Sequence, residues 1–328
     1  MSSWDAVREL PLEIEGYALE PLEREVAREF VLRRTVVALH GGGEEGRGEE
    51  VDYDPQSQGR FQEHGGKLPL AGRHTLESFS LLQAGQSEYR RWAFESAALD
   101  LALRQAGTTL AERLGREQRP VSFVVSTRVA NVPRWRELYP ALRFKLDADA
   151  DWTDELIASI SAGSQVDTVD FKGIYRVEFG SPPDAALYVR VAEAFPEAWL
   201  EDPALTPETA AALAAHTHRI TWDAAIHEWS DVEALPFRPR CLNCKPSRFG
   251  SVRRLFDFYD RCADAGISLY GGGQFELGPG RGQIQLLASL FHADAPNDVA
   301  PGGFNASQPQ AGLPESPLVL EPQPGFRG

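Results

Sequence analysis

The feature that most constrains this chain is a pattern repeated between Phe144 and Glu276, in which a short apolar run ends in charge. Phe144-Lys145-Leu146-Asp147 comes first, then Val169-Asp170-Phe171-Lys172-Gly173. Trp199-Leu200-Glu201-Asp202-Pro203 and Ile220-Thr221-Trp222-Asp223 follow. Leu242-Asn243-Cys244-Lys245-Pro246 and Tyr270-Gly271-Gly272-Gly273-Gln274-Phe275-Glu276 close the series. The steps from Asp170 to Glu201, Glu201 to Asp223 and Asp223 to Lys245 are 31, 22 and 22 residues. Each is about one strand-plus-helix unit, because a parallel strand pair needs a crossover of about a dozen residues or more. This grammar predicts a (β/α) barrel, whose chemistry sits at the C-terminal ends of its strands. Three carboxylates and a lysine on successive strand ends then converge on one mouth.

The segments between these runs have helical spacing. Val252, Leu255, Phe256 and Tyr259 share one face of Ser251–Ala265, with Gly266 as its stop. Thr206 before Pro207 reads as a capping threonine followed by proline in the first turn. Val121–Val129 is the expected first barrel strand, and Leu142–Asp147, Thr168–Lys172, Ala198–Glu201, Arg219–Asp223, Cys241–Lys245 and Ile267–Tyr270 are the next six. Residues 1–118 do not follow this rhythm. Glu29–Leu39 is β-branched and strand-like, and Tyr89–Leu103 has the periodicity of an amphipathic helix. The division expected is an α+β capping domain over 1–118 and a barrel over 119–300. The proline- and glycine-rich tail, 301–328, is read as irregular chain that returns over the first domain.

Composition narrows the functions. A formal charge of −15 argues against a nucleic-acid partner, which needs a basic face. No apolar run approaches the roughly 20 residues of a membrane span. The N-terminus lacks a signal-peptide pattern, and three cysteines suit a reducing compartment, so a cytoplasmic location is expected. Cys241 and Cys244 form a CxxC without a second ligand pair, which does not make a zinc site. His40-Gly41-Gly42-Gly43 is shaped like an esterase oxyanion loop, yet no GxSxG nucleophile elbow accompanies it.

Taken together, the strand ends resemble those of the enolase superfamily, in its muconate-lactonising and o-succinylbenzoate synthase branch. Asp170 matches the aspartate of that family's D-x-N, Glu201 the glutamate of its E-x-P, Asp223 the third acid, and Lys245 the lysine of its K-P. Trp92–Ala102 resembles the last helix of the family's cap, and Gly46-Arg47-Gly48-Glu49 its G-x-G-E cap loop. The resemblance spans roughly residues 30–300. It implies a modified (β/α)8-type, TIM-like barrel behind the α+β cap. It also implies Mg²⁺, with Mn²⁺ as an alternate ion, held by Asp170, Glu201 and Asp223, and a small carboxylic acid as substrate. The implied chemistry is removal of a proton α to that carboxylate through an enediolate, with Lys245 as base. A lysine can do this when a cation and partial burial favour its neutral form. Gln274, Glu276 and Arg248 are expected to face substrate, and assembly into a homo-oligomer is left open.

Two departures stand out. The family's strand-two K-x-K is here Lys145-Leu146-Asp147, so its second lysine is an aspartate. Its D-x-N is Asp170-Phe171-Lys172, so its asparagine is a lysine. Residues 170 and 172 share a strand face, so Lys172 is expected at the mouth, paired with Asp147 or facing substrate. Lys145, Asp147 and Lys172 thus join Lys245 as candidate catalytic residues. β-Elimination needs one strong base, which favours a lyase over a two-base racemase or epimerase. The reading from another class is a non-catalytic carboxylate-binding protein, in which Lys172 replaces the metal electrostatically.

Overall fold

In a computed structural model, residues 2–27, 30–163, 165–175 and 180–327 are described; Glu29, the start of the expected cap strand, lies outside them. The cap is built on three antiparallel strands, Gly16–Ala27, Phe30–Gly41 and Glu44–Glu50, in that order across the sheet. A second antiparallel pair joins Pro11–Ile14 to Gly72–Thr75. Helix Glu88–Gln105 packs on the three-stranded sheet, and the approach is close. A Cβ on Gly46 would lie 2.2 Å from Ala97 O, and one on Gly48 2.1 Å from Ala93 O. Only glycine fits at either place, which gives Gly46-x-Gly48 a packing reason.

That helix is not the amphipathic one expected. Every residue from Trp92 to Leu103 is buried, because cap sheet, barrel and C-terminal tail cover it on different sides. Two acids lie within the buried run. Glu95 accepts from Arg91 Nε (2.6 Å), Ser80 Oγ (2.8 Å) and Val252 N–H (2.9 Å). Asp100 accepts from the N–H groups of Arg47 (2.9 Å) and Phe326 (2.8 Å). The tail therefore ends against the cap, with the Phe326 ring edge-on to Trp92.

Beyond the cap the chain alternates strand and helix. Five parallel strands, Val125–Ser126, Arg143–Asp147, Gln165–Asp170, Trp199–Glu201 and Ile220–Thr221, lie side by side in sequence order. Cys241–Cys244 and Ser268–Gly271 form a parallel pair, joined to the fifth strand where Asn243 N–H donates to Trp222 O at 3.1 Å. Asp298 N–H donates to Gly271 O (2.7 Å) and Val124 N–H to Asn297 O (2.9 Å). The Asn297–Asp298 stretch thus connects the seventh strand back to the first. This is a TIM-like barrel behind an N-terminal cap. The first strand is shorter than the expected Val121–Val129, because Val121 and Phe123 form isolated bridges with Leu318 and Asn297 and Val129–Asn131 is a 3₁₀ turn. No described helix is long and apolar enough to cross a membrane.

Candidate functional site

Each charged run of the sequence ends at the barrel mouth. Asp147, Asp170 and Glu201 are the last residues of strands two, three and four. Asp223 lies two residues beyond strand five, and Lys245 follows strand six directly. The mouth encloses a cavity of about 210 Å³, lined among others by Lys145, Asp170, Lys172, Tyr175, Lys245 and Arg281. Lys245 Nζ donates to Asp223 Oδ2 at 2.8 Å and its side chain is 11% exposed.

The buried carboxylates meet side-chain cations almost one for one. Lys145 reaches between strand ends to pair with Glu201, and its Nζ lies 3.6 Å from Asp170 Oδ2. Burial alone would favour its neutral form, but the charges of Glu201 and Asp170 hold its pKa well above the usual value. Asp223 accepts from Arg248 Nη1 (2.7 Å) and Tyr175 Oη (3.0 Å) as well as from Lys245. Burial opposes its ionisation, yet Arg248 and Lys245 pull its pKa far below the carboxylate range. Asp170 and Glu201 are shifted up, chiefly by desolvation, which the charge of Lys145 only partly offsets. Tyr270 also donates to Glu201.

Lys172 reaches the mouth by a route the strand rule does not describe. The strand stops at Asp170, and Lys172 takes a left-handed conformation with φ +48°. From there Nζ lies 3.0 Å from Asp147 and 3.7 Å from Asp170. Burial would lower its pKa, but Asp147 and Asp170 raise it above the usual lysine value. Asp202 (φ +49°) and Phe275 (φ +60°) are left-handed too. Such conformations cost of order 1 kcal/mol or more in non-glycine residues, and they tend to gather at functional sites.

The residues expected to face substrate do not line the cavity. Arg248 is buried and turned onto Asp223, donating to its backbone carbonyl and both carboxylate oxygens. Gln274 donates from Nε2 to Tyr89 Oη (3.2 Å), and its carbonyl accepts from the cap's Arg34 at 2.6 Å. Glu276 is buried and folds back to accept the Gln274 N–H at 2.7 Å. A Cβ on Gly273 would lie 2.2 Å from Glu276 Oε2, so a glycine there leaves the room into which that carboxylate folds back.

Asp202, which the sequence marks only as a strand-end neighbour of Glu201, belongs to the cluster. Asp170, Glu201 and Asp202 each offer a buried carboxylate oxygen, all within 4.8 Å of one another. Both Asp202 oxygens already accept N–H groups, from Asp223 (2.8 Å) and Ala224 (2.9 Å). Burial, and then the charge of Asp223, push its pKa well up. The donor set suits a hard divalent cation, which prefers carboxylate oxygens. Around the mouth, Asp147, Asp170, Glu201, Asp202, Asp223, Glu276 and Asp298 face Lys145, Lys172, Lys245, Arg248 and Arg281.

No curated protein matches the sequence. Solved structures do. Muconate cycloisomerase from Pseudomonas fluorescens matches with a TM-score of 0.70 at 18% identity, covering 96% of each chain. A dipeptide epimerase from Methylococcus capsulatus, complexed with Mg ion, matches at 0.72 and 17%, covering 95% of this chain and 99% of that one. An enolase-superfamily protein from Listeria innocua Clip11262 matches at 0.64 and 19%, covering 89% and 85%. At these identities the likeness is one of fold. The two domain profiles of the family described as domain of unknown function (DUF8230) match in order, the N-terminal one over residues 5–113 and the C-terminal one over 117–306. Matched over most of its length, this chain belongs to the DUF8230 family and has the fold of the enolase superfamily.

Proposed function

We propose that the protein is a Mg²⁺-dependent lyase that removes a proton α to the carboxylate of a small acid, with Lys245 as general base. In this reading residues 1–118 and the tail form the cap and residues 119–300 carry the chemistry. The observation that carries the proposal is the asymmetry of the mouth. Lys245 faces the cavity from the end of strand six, while across from it the strand-two position holds Asp147, tied to Lys172 at 3.0 Å. Both walls present an ion-paired lysine, Lys245 on Asp223 at 2.8 Å and Lys172 on Asp147, but Asp223 is also held by Arg248, so Lys245 is the lysine that can give up its carboxylate partner and act as the base. That arrangement suits an elimination, in which one base suffices, better than a two-base epimerisation.

Asp170 and Glu201, with Asp202 or Asp223 as the third acid, would hold the ion. Bound there, Mg²⁺ supplies Lewis-acid stabilisation of the charge that develops on the substrate carboxylate. The chain's own residues do the rest. Lys245 moves the proton at Nζ, and Asp223 and Arg248 fix where that nitrogen stands. Lys145 orients Glu201 and favours its ionised form, as a positioning residue. Tyr175, whose pKa is raised chiefly by burial and then by Asp223, stays a neutral hydrogen-bond donor beside the cavity.

A second reading has its own supporting observation. Lys145 contacts both Asp170 and Glu201, so its ammonium stands where two of the metal oxygens meet. A protein that neutralises these acids with lysine alone would bind carboxylates without turning them over. Screening a library of small carboxylic acids for Mg²⁺-dependent proton exchange or elimination, beside Lys245→Met, separates the two. Turnover lost in the variant supports the lyase; Mg²⁺-independent binding with no exchange supports the binding protein.

A further inference from the structure

Arg281 lies in the first turn of helix Pro279–Phe291 and lines the cavity that Lys172 and Lys245 also line. Its surroundings set it apart from the other cations there. Lys172, Lys245 and Arg248 each hold a carboxylate oxygen at 3.0, 2.8 and 2.7 Å, and Lys145 is bound to Glu201. The Arg281 side chain is 14% exposed, and its closest ion-pair contact is Glu276 Oε2 at 3.6 Å. Its Nε is buried without a hydrogen-bond partner among the described residues. Glu276 is not free to close that gap. Its Oε1 accepts the Gln274 N–H, and its carboxylate sits against Gly273, where even a Cβ would come within 2.2 Å of Oε2.

A largely buried guanidinium with an unused donor is costly. Its planar fork matches a carboxylate held by two parallel hydrogen bonds. The cavity is small: at about 30 Å³ per water-sized volume, 210 Å³ holds about seven. A ligand spanning it from Lys245 to Arg281 has a short carbon skeleton. We propose that Arg281 binds a second carboxylate of the substrate, which makes the substrate class a short-chain dicarboxylate. This rests on the reading above, in which the first carboxylate is taken at the acid and lysine end of the mouth.

Calorimetric titration with succinate and with butyrate, in the presence of Mg²⁺, tests this on the wild type, Arg281→Met and Arg281→Lys. Thermal unfolding recorded beside them confirms that each variant is folded. The expected result is that the wild type prefers succinate by about 10- to 100-fold, the range of one charge-assisted contact. Arg281→Met abolishes the preference and leaves butyrate affinity unchanged. Arg281→Lys recovers part of the preference, since an ammonium keeps the charge and loses the fork. Equal affinity of the wild type for the two acids, or equal loss of both in Arg281→Met, overturns the inference and leaves the proposed function standing. A wild type that binds neither acid overturns both.

Discussion

Glu49 and Glu201 are both fully buried carboxylates, yet their partners differ in kind. Glu201 is held at the barrel mouth by side chains, those of Lys145, Tyr270 and, more distantly, Asn243. Glu49, at the end of the cap's Gly46-x-Gly48-Glu49 loop, is held by backbone. It accepts the N–H groups of Leu277 (2.6 Å), Gly278 (2.9 Å) and Gly280 (3.0 Å), at the start of a barrel helix. Arg34, also from the cap, approaches the same segment from the other side through the Gln274 carbonyl. Side-chain partners can swing away and let a ligand take their place, whereas backbone partners cannot leave without local unfolding. The cap–barrel contact is thus a fixed latch on the turn that carries Phe275 and Arg281, and the mouth is an exchangeable charge network.

Removing one residue from each region probes this contrast. The largest effect belongs to the mouth: Lys245→Met lowers turnover by about 10²- to 10⁴-fold, the usual weight of a general base, with little change in thermal stability. Steady-state kinetics beside an unfolding curve reads both. In the latch, Glu49→Ala leaves three buried N–H groups without an acceptor and destabilises the fold by about 3–5 kcal/mol in denaturant titration. A loss under about 1 kcal/mol would show that water or another group already serves those donors.

The latch also has a pH signature. Burial first, and the charge of Glu276 second, raise the Glu49 carboxyl from 4.5 to about 7. With the folded pKa above the unfolded one, the native state binds more protons between these values. The contribution of Glu49 is therefore complete below about pH 4.5 and is lost as pH rises through about 7. The shift corresponds to about 3 kcal/mol. Unfolding free energies of wild type and Glu49→Gln, measured from pH 4.5 to 8, should lie closest at the acid end, where both side chains are neutral, and diverge as pH rises and the wild type loses stability; parallel curves would remove Glu49 as the titrating group. The smallest effect is at the rim. Lys172 and Asp147 are 32% and 51% exposed, so Lys172→Asn shifts stability by less than about 1 kcal/mol.

The barrel was legible because each strand–helix unit leaves a charged residue after an apolar run, and that spacing survives in one dimension. Alternation along the strands failed where the strands ended. Lys172 and Asp202 lie beyond the last paired residue with positive φ, so their side-chain directions follow the left-handed backbone rather than the pleat. That is why Asp202 reads in the sequence only as a neighbour of Glu201 while its carboxylate lies beside Asp170 and Glu201. The burial of helix Glu88–Gln105 on every side depends on a tail that arrives more than 200 residues later, at Phe326 and Arg327. The partner of Glu49 is as distant: the motif shows in the sequence, the helix start it caps does not. Arg248 reads as a strand-end arginine free for substrate, and only the fold shows that Asp223 consumes it.

Calorimetric titration of Mg²⁺ into the wild type and into Asp170→Asn tests the central claim most directly, that the mouth is an exchangeable network with room for a divalent ion. The account predicts saturable binding by the wild type that the variant loses, with Asp202→Asn and Asp223→Asn identifying the third acid by which one also abolishes it. A wild type that binds no Mg²⁺ while staying folded would contradict the claim. Lys145, Lys172, Lys245 and Arg248 would then be the permanent counter-charges of these acids.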